Sequence, residues 1–431
     1  MNSSKFLSVG IDVGSAFSWM AIVDPQGNVI SKPFKLIHNS LDSLNAAVLR
    51  IRKAEETESL KAAIFLESTG IYHIPLFCYL SEKDLDVHIL NPLTTHSIKN
   101  IGIRKVKNDK SDAVSIAELG LKSSLKSSKL PDPFAAELRP LVRRYYELGA
   151  YRAEQTLRLT NDLNIVFPQY LRVFSKGITG KTSLMILKEY GTPEKILHAR
   201  RSTLIKKLAE ASHQGSASAE KWYSKLVAAA NDAMQYRCKV DSISNRNIPT
   251  SIGFIQFIDE HRKSILEDVH SLLNTHLQDL VSQQVELLET IPGVGFMPAV
   301  TIVSEIGDFS SFKKPGQLFA FFGMDPEVRS SGLFQASHLH MSKRGSRIVR
   351  HVMFQTVLAI IATMNFSKPI IPTLCEYYKK KIETKPRMVA IGALMHKLCN
   401  IIFAVLRDQK PFELRTPKEQ QERYQAVHLS A

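Results

Sequence analysis

Short apolar runs bounded by turn residues dominate the first 125 residues of the chain. Five of these runs have the length and composition of β-strands, and they occupy residues 6–11, 17–23, 29–37, 62–66 and 87–90. Apolar residues recur at helical spacing in two further segments, residues 41–54 and 72–82. The pattern therefore predicts three strands, a helix, a strand, a helix and a final strand.

This order of elements is the order of an RNase H-like domain. The segment SSLKSSKLPDP, residues 123–133, follows it and predicts a linker. From residue 134 to about residue 288 strand signals are scarce and helical spacing dominates. We therefore predict an α/β domain followed by all-α structure, with boundaries at residues 1–130, 131–286, 287–412 and a poorly ordered tail at 413–431.

Leucines recur every seven residues near the end of the middle region, at Leu266, Leu273, Leu280 and Leu287. A heptad repeat predicts a coiled coil or a contact between subunits. A helix packed against the core of its own domain would show the same spacing, so both interpretations stay open.

Positive charge is concentrated in two parts of the chain, whose formal net charge is +15. Lys and Arg outnumber Asp and Glu by 18 to 10 in residues 101–200 and by 19 to 10 in residues 301–431, whereas the other two stretches are near neutral. Residues 328–375 contain six basic residues and no acidic one. A localised positive field favours a polyanionic partner such as DNA or RNA over a general solvated surface.

Cysteine spacing and hydropathy further restrict the class of protein and its expected compartment. The four cysteines form no CxxC pair, so neither a disulfide framework nor a zinc site is indicated, and a reducing cytoplasm is the expected compartment. No uninterrupted apolar run approaches the ~18 residues of a membrane span. We therefore expect a soluble protein with no membrane partner.

Four acidic residues stand where the predicted elements would bring them together. Asp12, between the glycines of GIDVG, ends the first strand, and Glu67 ends the fourth, which would lie beside the first. Asn108 is a plausible cap for a helix in which Asp109 and Asp112 share one face. Converging carboxylates need a cation, and hard oxygen ligands favour Mg²⁺ or Mn²⁺. Each residue alone could be a turn or cap acid, but the joint pattern favours a two-metal phosphodiester site.

Asp12 alone fits a second class equally well. Sugar kinases and actin-like ATPases also place an Asp-x-Gly-Ser/Thr motif after their first strand, where the hairpin holds phosphate. They require a second Gly-rich phosphate hairpin and a Gly-rich adenosine loop, and the sequence has neither of these nor a Walker-type loop. Glu67 and the Asp109/Asp112 pair therefore favour the metal-dependent alternative.

The C-terminal block contains two features suited to phosphate binding. The segment LLETIPGVGFMPAVTIVSEIG, residues 287–307, predicts a helix-hairpin-helix in which Gly293 and Gly295 let backbone amides approach a phosphate, although an ordinary helix corner would have the same pattern. Further on, Ser330 and Ser331 are predicted to lie in a loop beside Arg329. We also predict that Lys343, Arg347 and Arg350 share one helical face. The basic positions of this block that we assign to nucleic-acid binding are Arg329, Lys343, Arg344, Arg347 and Arg350.

Six motifs occur in the order found in the DEDD-type insertion-sequence transposases: GIDVG, LESTGIYH, NDKSDA, IPGVG, FGMDP with SSG, and SKRGSRIVRHVMF. The chain resembles this family over residues of about 5–125 and 287–410. The family includes pilin-gene DNA invertases and bridge-RNA-guided recombinases. Apart from the resemblance, a junction-resolving Mg²⁺ nuclease and a non-catalytic nucleic-acid-binding protein remain alternatives.

The resemblance implies a specific set of roles. Residues 1–130 would form a RuvC-like domain in which Asp12, Glu67, Asp109 and Asp112 hold Mg²⁺ or Mn²⁺. The middle region would be a coiled coil. Ser331 of the C-terminal transposase domain would be the nucleophile that forms a covalent bond to DNA, with Ser330 the less favoured candidate. The resemblance also implies dimers that pair into tetramers on donor and target DNA, a site completed by the serine of another subunit, and a guide RNA.

Overall fold

The computed structural model describes residues 6–68, 70–90, 109–122, 132–175, 177–212, 215–236, 238–327, 330–331, 334–335, 340–415 and 419. At residues 330–331 and 334–335 it describes the backbone alone. The chain divides into two compact units, residues 1–130 and 131–431. Arg329 and the predicted helix cap Asn108 lie outside the described residues, as do most of the predicted linker and tail.

The first unit is built on one five-stranded sheet. Its strands are β1 (Leu7–Val13), β2 (Phe17–Val23), β3 (Val29–Ile37), β4 (Ala62–Glu67) and β5 (Asp86–Leu90). The order across the sheet is β3-β2-β1-β4-β5. The first three strands are antiparallel neighbours, whereas β4 and β5 run parallel to β1. This topology confirms the five predicted strands and fits an RNase H-like domain.

Helices cover both faces of this sheet. On one face lie α1 (Leu41–Glu58) and α2 (His73–Ser81), which enclose the odd-numbered apolar residues of β1 in one core. On the other face lies α3 (Asp109–Gly120), which packs Ile116 and Leu119 against Phe65 of β4. Both predicted helices are confirmed, and α1 extends four residues beyond the predicted end.

Where the structure describes the second unit, its regular elements are helices and one short β-hairpin. Its described α-helices are α4 (Pro133–Val166), α5 (Lys181–Glu189), α6 (Pro193–His198), α7 (Arg201–Ser212), α8 (Ser216–Gln235), α9 (Ile248–Thr275), α10 (Leu280–Glu289), α11 (Phe296–Ile306), α12 (Pro315–Phe321), α13 (Arg347–Ala362), α14 (Pro372–Ile382) and α15 (Arg387–Asp408). The hairpin strands are β6 (Ser330–Ser331) and β7 (Phe334–Gln335).

Two long helices, α4 and α9, pack side by side along the second unit. Asp132 starts α4 by accepting hydrogen bonds from the amides of Phe134 and Ala135. At 34 residues the helix is about 51 Å long. The guanidinium of Arg152 donates to both carboxylate oxygens of Asp259, at 2.6 and 3.0 Å, and joins the two helices at mid-length.

The pair spans two separate hydrophobic cores. The start of α4 and the end of α9 contribute to a core with helices α10 to α15. The end of α4 and the start of α9 contribute to a second core with helices α5 to α8. Helices on both sides of residue 287 therefore share one core.

The heptad of leucines does not lie on one helix. Helix α9 ends at Thr275, and Asp279 caps a new helix by accepting from the amide of Val281 at 2.8 Å. Leu273 is buried in the core, whereas Leu280 is exposed. A continuous coiled-coil seam through these leucines is therefore wrong, because the chain turns between the second and third of them.

Helix α15 is, among the described residues, the one helix long and apolar enough to cross a membrane by length and composition. More than half of its most apolar stretch is buried. Leu394, Leu398 and Ile402 of this helix are core residues with almost no exposed surface. A core helix of a globular domain has these same properties.

Candidate functional site: an acidic edge and a serine hairpin

Strand β1 presents Ser8, Gly10 and Asp12 on one face, because alternate residues of a strand point the same way. The Ser8 hydroxyl donates to the carbonyl of Ala117 in α3 over 2.6 Å. A Cβ atom on Gly10 would lie 2.1 Å from the carbonyl oxygen of Ala113, so only glycine allows the helix to approach this closely. Asp12 therefore projects from the face that α3 covers.

The first turn of α3 lies at the Asp12 end of β1. The helix passes over Ser8 with Ala117 and over Gly10 with Ala113, so it runs antiparallel to the strand. Trp19 of β2 is the direct cross-strand partner of Asp12. The ammonium of Lys110, in the first turn of α3, lies 4.6 Å from the centre of the Trp19 ring. The turn that carries Asp109 and Asp112 is thus level with Asp12.

Glu67 lies at the same edge and on the same face. Ile11 and Leu66 are partners in the parallel register of β1 and β4, so Asp12 and Glu67 come next on neighbouring strands. Phe65, two residues before Glu67, packs against α3, and a Cβ on Gly120 would lie 2.3 Å from its ring. Asp12 and Glu67 are both half-buried.

We call Asp12, Glu67 and the first turn of α3 the acidic edge. Asp112 is half-buried and Asp109 is exposed. Their carboxylates are the hard oxygen donors that Mg²⁺ and Mn²⁺ prefer, and in this sense the residues fit a divalent cation. Within residues 6–68, 70–90 and 109–122, however, no three of these side chains are gathered around one point. The backbone brings three elements to one edge without closing a ligand cluster.

Ser330 and Ser331 form a short strand rather than a loop. Ser330 pairs with Gln335 and Ser331 with Phe334 in an antiparallel ladder. This corrects the predicted loop conformation, since two serines in a row give no apolar alternation from which a strand could be predicted. Both serines stand near the tip of a hairpin.

Residues 325–327 and 340–342, which flank the two strands in the sequence, are also paired with each other. Glu327 donates its amide to the carbonyl of His340 at 2.8 Å, and Ser342 donates to the carbonyl of Asp325 at 2.7 Å. The Ser342 hydroxyl also donates to the Asp325 carboxylate at 2.5 Å. We call the described residues 323–327, 330–331, 334–335 and 340–343 the serine hairpin.

The base of the serine hairpin is a crossing of two glycines. Gly323 has φ +67°, and a Cβ there would lie 2.3 Å from the amide nitrogen of Gly345. The guanidinium of Arg350 donates to the carbonyls of Phe322, at 3.0 Å, and Gly345, at 2.7 Å. Arg350 thus ties both sides of the hairpin base to α13.

These contacts correct the predicted basic stripe. Helix α13 begins at Arg347 with Ser346 as its cap, so Lys343 and Arg344 precede the helix. Lys343 has φ +55°, outside helical geometry. Arg350 is half-buried on backbone carbonyls, and this burial lowers its pKa from the ordinary value. Lys343, Arg344 and Arg347 are exposed and remain candidates for phosphate contacts.

The IPGVG segment connects α10 and α11 as predicted. Gly293 has φ +93°, a left-handed conformation that glycine adopts without strain. Val294 is buried, and its amide donates to Ile291 at 2.9 Å, whereas Gly293 and Gly295 are exposed. Gly295 caps α11 without a side-chain hydrogen bond. The turn therefore exposes the backbone just before the start of α11, a helix whose own residues are almost all buried.

Sequence reasoning missed Trp19 and Lys110 at the acidic edge. Nothing in the local pattern marks either residue, because the contact joins positions 91 residues apart. The small residues Ser8 and Gly10, placed two apart before Asp12, were a usable signal for a closely packed helix.

Comparison with known proteins agrees with this architecture. Residues 9–168 match the family model of the DEDD transposase of IS110, described as a transposase. Residues 285–370 match the model described as the transposase IS116/IS110/IS902 family. The first match covers the α/β unit together with α4, and the second covers α11 to α13 with the serine hairpin. The chain belongs to the IS110 family of transposases, enzymes of DNA recombination.

Relatives cover most of the chain at low identity. The chain is 23% identical to the insertion element IS116 uncharacterized 44.8 kDa protein of Streptomyces clavuligerus, over 96% of this chain and 97% of that protein. It is 25% identical to the insertion element IS110 uncharacterized 43.6 kDa protein of Streptomyces coelicolor, over 77% and 78%. A shorter match, 27% identical over 31% of this chain and 40% of the relative, is to the pilin gene-inverting protein of Moraxella bovis.

Proposed function

We propose that this transposase cuts and rejoins DNA strands through a divalent-metal site at the acidic edge and a covalent bond between Ser331 and DNA. The observation that carries the proposal is the placement of Asp12, Glu67 and the first turn of α3 at one edge and one face of the sheet. Family membership supports the reaction class, since both matching family models describe transposases and one relative is a pilin gene-inverting protein.

Asp12, Glu67, Asp109 and Asp112 would hold the cation, with Mg²⁺ the expected ion and Mn²⁺ an alternative. When bound, a divalent cation stabilises negative charge on a reacting phosphate and lowers the pKa of an attacking hydroxyl. The four carboxylates would bind and orient the cation.

Ser331 would supply the nucleophile. Its oxygen forms a bond to the phosphorus of a phosphodiester while the bond from phosphorus to a sugar oxygen breaks. The proton lost by the serine hydroxyl ends on that sugar oxygen. The free hydroxyl of another strand then attacks the phosphoserine ester, which restores the serine and makes a new junction. The phosphoserine ester conserves the energy of the broken phosphodiester bond, whereas attack by water would release it. Ser330 is the alternative nucleophile.

DNA is the substrate, and the exposed basic residues Lys343, Arg344 and Arg347 would contact its phosphates, with Arg329 a further candidate. The exposed Gly293 and Gly295 would bring backbone amides to a phosphate at the start of α11.

The protein would act in the bacterial cytoplasm as a homo-oligomer on paired DNA duplexes. A guide RNA, as in the bridge-RNA-guided members, is our proposed additional partner, and sequencing of RNA that copurifies with the protein tests it.

The proposal is tested by strand exchange in Mg²⁺ on DNA that carries the element ends and a target. Asp12→Asn and Glu67→Gln should each lower the rate on the order of a hundredfold to a thousandfold. Glu118→Gln is the matched control, because Glu118 is exposed on α3 away from its first turn. Full activity of Asp12→Asn would remove the metal role. Hydrolysis of DNA without any rejoining would instead identify a nuclease.

Oligomeric action has a separate test. A mixture of Asp12→Asn and Ser331→Ala proteins should recover strand exchange if different subunits can supply the acidic edge and the serine. No recovery at any mixing ratio would argue against sharing between subunits.

A further inference from the structure

The acidic edge also holds a positive charge. Lys110 lies between Asp109 and Asp112 in the sequence and in the same helical turn. Its ammonium is 4.6 Å from the centre of the Trp19 ring, and Trp19 is the cross-strand partner of Asp12. Cross-strand partners project from the same face of a sheet, so the Trp19 ring, the Lys110 ammonium and the Asp12 side chain lie on the face of α3.

The ring is a suitable support for a cation that must keep its charge. The face of an indole attracts an ammonium through its quadrupole and is the best of the aromatic rings for this. The lysine ammonium is a compact point charge with three rotatable donors.

The proposed reaction creates a need for that charge. A phosphodiester carries one negative charge and gains more on its non-bridging oxygens in the transition state. Four carboxylates near this group repel it, and their repulsion is greatest when the phosphate is most charged. A fixed cation beside Asp12 would offset this repulsion and act more strongly on the transition state than on the bound substrate.

We propose that Lys110 binds a non-bridging oxygen of the phosphate that Ser331 attacks, and that Trp19 is the positioning residue that holds Lys110 there. The inference rests on the proposed function, because it names a further contact to the same phosphate. Lys110 touches the reacting group, whereas Trp19 acts through Lys110.

The alternative is that Lys110 and Trp19 only stabilise the junction of α3 with the sheet. The two accounts differ in what they do to a phosphate without charge. A methylphosphonate at the attacked position keeps the shape of the DNA but removes the negative oxygen. A contact to that oxygen is lost on this DNA, whereas a structural contribution is not.

The experiment first maps the attacked phosphate from the covalent adduct of the wild-type protein. Binding of normal and methylphosphonate DNA is then measured in the Ser331→Ala background, where the nucleophile is absent. Lys110→Met should weaken binding of normal DNA about tenfold and leave binding of methylphosphonate DNA unchanged. Equal weakening on both DNAs would overturn the proposal.

Rates complete the test. At saturating DNA, Lys110→Met should lower the rate of adduct formation on the order of a hundredfold, with Lys110→Arg recovering part of it. Trp19→Leu should lower the rate less, and Trp19→Phe should recover most of that loss. Lys122→Met is the matched control, because Lys122 is exposed just beyond the far end of α3 and should change neither rate nor binding.

The two levels of failure can be told apart. Absence of any adduct with the wild-type protein contradicts the proposed function. A wild-type adduct together with an unchanged rate for Lys110→Met contradicts only the role of Lys110. The thermal unfolding midpoint of each variant shows whether a lost rate reflects a lost fold.

Discussion

The Ser8 hydroxyl donates a hydrogen bond to the carbonyl of Ala117 over 2.6 Å, and both groups are buried. This bond joins β1 to α3 across 109 positions of sequence and sets the register of the helix on the strand. With the helix fixed in this register, its first turn reaches the end of β1 where Asp12 lies. The geometry of the acidic edge therefore depends on a contact four residues away from Asp12.

Gly10 should be the least replaceable residue of this contact. A Cβ at Gly10 would lie 2.1 Å from the carbonyl oxygen of Ala113 and 2.3 Å from the amide nitrogen of Ala117, both backbone atoms that cannot yield. Gly10→Ala should therefore lower the free energy of unfolding on the order of 3 kcal/mol or more, measured by denaturant unfolding.

The control for this variant is Gly253→Ala. Gly253 lies in α9, and a Cβ there would have no neighbour within 4 Å, so the change should raise stability by about 0.5–1 kcal/mol. Equal stability of the two variants would contradict the close packing of α3 on β1.

Arg350 and Arg347 should respond differently although they are three residues apart. Arg350 holds the carbonyls of Phe322 and Gly345, so Arg350→Met should destabilise the base of the serine hairpin by about 2 kcal/mol. Hydrogen exchange should then accelerate at the amides of Glu327 and Ser342, which are bonded across the hairpin. Unchanged exchange at these amides would show that Arg350 does not anchor the hairpin.

Arg347→Gln tests the contact with DNA instead. Arg347 is exposed in the first turn of α13, and we propose that it binds a phosphate. Its replacement should leave exchange in the hairpin unchanged and reduce the slope of log affinity against log salt concentration by about one. Lys263→Gln, at an exposed position of α9, should leave the slope as it is.

The cysteines should divide into two reactive and two protected thiols. Cys78 and Cys238 are exposed, whereas Cys375 and Cys399 are buried. Burial raises the pKa of Cys399 to about 12 and raises the pKa of Cys375. At pH 8 a thiol reagent should therefore modify two cysteines in the native protein and all four in denaturant.

The same shift has a consequence for stability. The pKa of Cys399 is higher in the folded chain than the ordinary value of 9.0. Its contribution to stability is thus fully present below pH 9 and is lost as pH rises from 9 toward 12. Cys399→Ala should remove this part of the alkaline destabilisation, as seen in the pH dependence of the unfolding midpoint, and an unchanged alkaline limb would contradict the assignment.

The sequence predicts the sheet well and the site only in outline. All five strands lie within two residues of their predicted bounds, because turn residues such as the Asp24–Gly27 segment separate them clearly. Strand ends also predict correctly that Asp12 and Glu67 lie on neighbouring strands. The register of α3, which decides what faces Asp12, depends on contacts between residues more than 100 positions apart and has no local signal.

Helix breaks and short strands are the features that the sequence pattern does not predict. The turn between α9 and α10 contains neither Gly nor Pro, so the leucine heptad continues through it without a local sign of the break. The strand Ser330–Ser331 has two residues, too few for any periodicity. Helical spacing predicts that Arg350 shares a phosphate-binding face with Arg347. The structure shows that its guanidinium instead donates to the backbone carbonyls of Phe322 and Gly345.

The most direct test of the central claim is to identify the residue that bonds to DNA. The wild-type protein is incubated with its DNA and Mg²⁺, denatured and digested, and the peptide that carries a nucleotide phosphate is fragmented in a mass spectrometer. We predict a phosphate on Ser331, absent in Ser331→Ala, absent without Mg²⁺ and present in Ser330→Ala. A bond to any other residue, or undiminished strand exchange by Ser331→Ala, would contradict the account.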